Sequence, residues 1–123
     1  MGERDSDQTM KRWNSLRECL QNASAAKAHA DIVQVCDSIL EFSARNPEAA
    51  VVDWMFDKRA SQALADMGRH FEAIARIGRA MAGCKRYRAT ARLAKPDDFL
   101  KDLETMGKLR DRWHKKVGNS KPA

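Results

Sequence analysis

The chain has 123 residues, 43% of them hydrophobic and 33% charged, with a formal net charge of +6. That length suits one domain with a real core, and few prolines and glycines with almost no Val/Ile/Thr alternation exclude a β-rich or low-complexity chain. No apolar run reaches the ~20 residues that cross a bilayer, and the polar stretch from Met1 to Asp7 does not resemble a secretory leader, so an all-α, cytoplasmic protein without membrane contact is expected.

The pattern predicts five helices. Residues 1–8 read as a flexible start. A first helix runs from about Thr9 to Ala26, with Trp13, Leu16, Leu20 and Ala23 on one face. Asp31 favours a second helix start beside the positive end of its dipole, and Ile32, Val35, Cys36, Ile39, Leu40 and Phe42 follow. Asn46-Pro47 reads as a stop and restart, asparagine capping and proline filling a first turn whose amide is unpaired anyway. A third helix, about Pro47 to Met67, is apolar on most sides and is therefore central. Gly68 ends it, because glycine enters left-handed geometry cheaply. A fourth helix spans about Phe71 to Lys85, with Ala73, Ile77, Ala80 and Met81 on one face. Residues 87–95 then form a basic linker, with one long continuous helix as the alternative. Pro96-Asp97-Asp98 opens a fifth, capping helix to about residue 117, whose stripe of Phe99, Leu103, Met106, Trp113 and Val117 docks on the fourth. Residues 118–123 are a polar, flexible tail.

The two hairpins, 9–46 and 47–86, resemble tetratricopeptide repeats. In the second, Ala60, Ser61 and Leu64 precede Gly68 at that family's spacing, and Ala73, Ile77 and Ala80 follow the turn where it places packing residues. In the first, Trp13, Leu16 and Leu20 are matched by Ile32, Cys36 and Ile39, with Pro47 behind them. Two departures stand out. Asp57 occupies a position where tryptophan is common, and Ile32 to Ala73 spans 41 residues (73 − 32) against a family repeat of ~34. An ordinary helical bundle is the alternative fold. The resemblance implies a concave surface on the first helices of the hairpins that holds a partner peptide or helix, with Met55, Lys58, Arg59 and Gln62 projecting near it. Lys58 and Gln62 share a helix face, and a cation beside an amide suits an anionic terminus. The plain alternative is that Lys58 and Arg59 pair with Asp53, Asp57 or Asp66.

Charge is unevenly spread. Residues 1–66 hold 8 Lys+Arg against 11 Asp+Glu, net −3, and residues 67–123 hold 15 against 6, net +9. The run Lys85, Arg86, Arg88, Arg92 and Lys95 contains Tyr87 and no carboxylate, which combines cations with an aromatic that can stack on bases. Binding of nucleic acid is thus the second functional reading. An acidic protein, or another copy of the chain, uses the same electrostatics.

No residue set points to a reaction. His29, His70 and His114 lack metal-ligand spacing, and there is no phosphate-cradling glycine loop or serine elbow. The expectation is a non-enzymatic adaptor or chaperone-like protein with no cofactor or metal. Cys19, Cys36 and Cys84 form no Cys-x-x-Cys pair and read as reduced core thiols. Lys85 and Arg86 beside Cys84 leave one other reading, a thiol of lowered pKa.

Overall fold

Each of the two hairpins turns on a left-handed residue. The computed structural model describes residues 2–91 and 93–119, which form α1 (Gly2–Ala25), α2 (His29–Arg45), a short 3-10 turn (Pro47–Ala49), α3 (Asp53–Asp66), α4 (His70–Thr90) and α5 (Leu100–Asn119). The protein is all-α, with no strand among the described residues. After α3, Gly68 sits at φ 78°. Its amide donates to Ala65 O and that of Arg69 to Leu64 O, a Schellman closure that satisfies the last carbonyls. After α1 the same two bonds recur, from Lys27 to Ser24 O and from Ala28 to Ala23 O, with Lys27 at φ 53°.

The two hairpins are thus one design repeated at a shift of 41. Trp13 and Trp54, Lys27 and Gly68, His29 and His70, Ile32 and Ala73, and Cys36 and Ile77 all correspond. Each helix packs on the one before it. Side-chain contacts set α1, α3 and α5 side by side: Trp13 meets Phe56 edge-on at 6.0 Å, and Lys58 of α3 lies 3.4 Å from Asp102 of α5. On the other side Arg76 of α4 reaches Asp37 of α2.

Three apolar clusters run through this stack. Leu16, Ile39 and Phe42 fill one end, with Trp13 stacked on Phe42. Ala23, Ile32, Cys36, Ala60 and Ala63 form the middle. Trp54, Leu64, Ile77, Met106 and Trp113 anchor the largest, which joins α3, α4 and α5. α3 feeds two clusters, as expected of a central helix. α4 crosses α3 at Gly83, where an added Cβ would stand 3.0 Å from Trp54 Cβ.

Several boundaries differ from the sequence reading. α1 begins at Gly2 rather than near Thr9. The third helix does not start at Pro47. The 3-10 turn ends at Ala50 in left-handed geometry (φ 54°), and α3 begins at Asp53. Successive β-branched residues resist helix entry, and Val51 and Val52 instead pack on different clusters, one on each side. Asn46 closes α2, its Nδ2 donating to Phe42 O at 3.0 Å, and makes no side-chain cap for the next element.

The basic linker is shorter than expected, because α4 runs through Lys85–Arg88 to Thr90, and Ala91 after it is extended (φ −82°, ψ 153°). Pro96-Asp97-Asp98 lies in turns ahead of α5, not in its first turn. Phe99 takes φ 68°, an arrangement that costs a residue with a Cβ about 1–2 kcal/mol. That geometry sends its ring between Trp54 and Tyr87, at 5.5 and 5.6 Å. The capping stripe docks as expected, with Met106 and Trp113 buried. Cys36 and Cys84 are core thiols, whereas Cys19 is exposed on α1, off the apolar face expected for it.

Candidate functional site

α3 turns Trp54, Ala60, Ala63 and Leu64 into the clusters on its two sides. Met55, Arg59, Gln62 and Asp66, at i, i+4, i+7 and i+11, remain on the opposite face. Met55 is 41% exposed. The expected binding set divides here. Lys58 Nζ lies 3.4 Å from Asp102 Oδ1 of α5, so this cation ties α5 to α3. Arg59 Nη2 donates to Ser24 Oγ of α1 at 3.2 Å, which fixes its guanidinium between α1 and α3. Neither pairs with Asp53, Asp57 or Asp66, the partners the sequence offered.

Two open clefts flank α3. One, of about 590 Å³, lies toward α1 and is lined by Asn14, Arg17, Glu18, Leu20, Gln21 and Phe56. The other, of about 340 Å³, lies toward α5, with Arg59, Gln62, Leu109, Arg112, Trp113 and Lys116 on its walls. Asp66 and His70 border the second cleft, and Asp66 Oδ2 sits 3.8 Å from His29 Nδ1. Three permanent cations against one carboxylate make this cleft electropositive. The start of α4 at His70 adds the positive end of a helix dipole. Arg112 and Lys116 were not singled out as part of this surface from the sequence; their place depends on how α5 docks.

The basic run does not form one free surface. Arg88 Nε donates to Asp98 O and Nη2 to Pro96 O, both at 2.8 Å, so this arginine holds the turn before α5. Tyr87 is packed edge-on against Phe99. Lys85 and Arg86 are exposed on α4, and Lys95 is exposed in the turn, where its amide donates to Asp98 Oδ2 at 3.0 Å. Arg92 lies outside the described residues.

A buried ion cluster went unread in the sequence. Asp57 accepts from Arg76 Nε at 3.0 Å and lies 3.5 Å from Arg79 Nη2, while Arg76 Nη1 reaches Asp37 at 2.7 Å. Its signal was an aspartate at a core position, between Trp54 and Ser61 on an apolar face. Burial pushes the Asp57 carboxyl above its ordinary range, and Arg79 and Arg76 pull it part of the way back.

Burial also pushes the Cys36 thiol up to about 11. Cys84 is raised chiefly by burial and further by Asp102, against smaller opposing effects of Arg88 and Lys58. The alternative of an activated Cys84 is thereby corrected: the side chain is fully buried, and desolvation outweighs its basic neighbours. Among the described residues no three His, Cys, Asp or Glu side chains converge as metal ligands, and no helix is long and apolar enough to cross a membrane. Comparison of the chain with protein-family models, curated proteins and solved structures returns no match.

Proposed function

We propose that the protein is a non-enzymatic interaction module, an adaptor or chaperone-like protein of the cytoplasm that holds a peptide or helix of a partner along the open face of α3. The observation that carries this reading is the pair of clefts beside that helix. Their rims carry Arg17, Arg59 and Arg112, and their walls include the apolar Leu20, Phe56, Leu109 and Trp113. Cations beside a few apolar side chains suit a segment with carboxylates and one or two large apolar anchors. Two hairpins with one turn geometry support the resemblance to tetratricopeptide repeats, at a period of 41 rather than ~34.

Nucleic acid is the weaker reading. The aromatic that would stack on bases is engaged with Phe99, and Arg88 is occupied by carbonyls. An affinity pull-down from source lysate, with and without nuclease, separates the two. Protein partners that survive nuclease support the interaction module, and their loss on nuclease treatment favours nucleic acid.

A further inference from the structure

α1 pairs with α2 and α3 with α4, and α5 packs on α4. Phe71, Ile74, Gly78, Met81 and Lys85 recur at i, i+3, i+7, i+10 and i+14, one face of that helix. The face is turned away from Arg76, which reaches α2. Phe71 is 74% exposed, and nothing lies within 4 Å of the place a Gly78 Cβ would take.

On α5, Leu100, Leu103, Gly107 and Arg110 form the facing stripe, on the side of the helix away from Leu109 and Arg112, which line the α3 cleft. The two stripes meet where Met81 Cε lies 3.8 Å from the Cβ position of Gly107. Leu100 is 43% exposed.

We infer that the surface where α4 and α5 meet takes an acidic amphipathic helix from a partner protein. Phe71 to Lys85 spans about 21 Å at 1.5 Å per residue, room for four helical turns. Phe71, Ile74, Met81 and Leu103 offer the apolar contact, and glycines on both walls let a third backbone come close. Charge selects the occupant. On the two stripes Lys85 and Arg110 make no ion pair or side-chain hydrogen bond among the described residues, and Glu104 is already held by Lys108 at 3.3 Å. Residues 67–123 carry the net +9, so a glutamate-rich helix is drawn to this face and a lysine-rich one repelled. This surface lies apart from the clefts beside α3 and does not depend on them.

The test uses the full chain, isotopically labelled, and a designed peptide of about five helical turns with leucine on one face and glutamate elsewhere. Peptide-induced NMR shifts are expected at Phe71, Ile74, Gly78 and Gly107. The double variant Phe71→Glu, Lys85→Glu, at two exposed positions, weakens binding at least about tenfold. A lysine version of the peptide binds as weakly. Arg59→Glu, in the other surface, leaves the affinity unchanged. The inference is overturned if α4 and α5 show no shifts, if the lysine peptide binds equally well, or if the shifts gather on α3. It is equally overturned if the chain sediments as a dimer that Phe71→Glu dissolves, which would make a second copy the occupant.

Discussion

Arg76 of α4 donates through Nε to the Asp57 carboxylate of α3 at 3.0 Å. The pair lies between two helices that also meet through apolar side chains, with only 13% and 9% of the two side chains exposed. Removing one member of a buried pair strands the other charge. Asp57→Ala therefore costs about 3 kcal/mol in chemical denaturation, and Asp37→Ala, on an exposed partner of the same arginine, costs under about 1 kcal/mol. Equal losses for the two would mean that Asp57 is not the anchor of the cluster.

The same pair predicts a pH dependence. Because burial raises the Asp57 carboxyl, the folded chain keeps this proton to higher pH than the unfolded one. The part of its contribution linked to this proton is complete below the ordinary carboxylate value of about 4 and is lost as pH rises through the folded value. The stability of wild type minus that of Asp57→Asn should thus fall as the pH rises above ~4. A difference that grows over that range would show the arginines outweighing burial.

Two glycines of α4 should respond oppositely to alanine. At Gly78 the new methyl meets open space, and the gain in helix propensity stabilises by up to about 1 kcal/mol. At Gly83 it meets Trp54 Cβ at 3.0 Å, close to the backbone of α3, where overpacking of about 1–3 kcal/mol outweighs that gain. Melting midpoints should rise for Gly78→Ala and drop for Gly83→Ala. A rise in both would place the α3–α4 crossing elsewhere.

Thiol chemistry reads burial directly. Cys19 is exposed while Cys36 and Cys84 are buried, and Cys36 is pushed up to about 11. Native protein at pH ~8 should take up one equivalent of iodoacetamide, at Cys19, and three when unfolded. Rapid native labelling of Cys84 would revive it as a reactive thiol.

Periodicity and punctuation made most of the fold legible. Gly68 marked a turn because a left-handed residue is cheapest as glycine, and the stripe Met106–Trp113 marked a docking helix. The matching turn at Lys27 carried no such mark, since a lysine there pays the strain without announcing it. Phe99 was read as the first residue of a helical stripe; its left-handed backbone follows from aromatic contacts that only the fold brings together. For the candidate surface, helical spacing found Arg59 and Gln62. It could not find Arg112 and Lys116, or that Lys58 is held by Asp102, because those depend on the register of α5 against α3. Arg88 looked like a free cation until the path of the loop put two carbonyls beside it.

The proposed protein partner would sit along α3 between α1 and α5. The most direct measurement is the affinity of the nuclease-resistant captured partner for wild type, for Arg59→Glu with Arg112→Glu, and for Lys85→Glu with Arg86→Glu. Reversal at the α3 clefts should weaken binding by at least about tenfold, equivalent to about 1.4 kcal/mol, and reversal on α4 should leave that contact intact when the partner is trimmed to the segment that binds α3. Unchanged affinity in the Arg59/Arg112 variant would mean that the partner binds elsewhere.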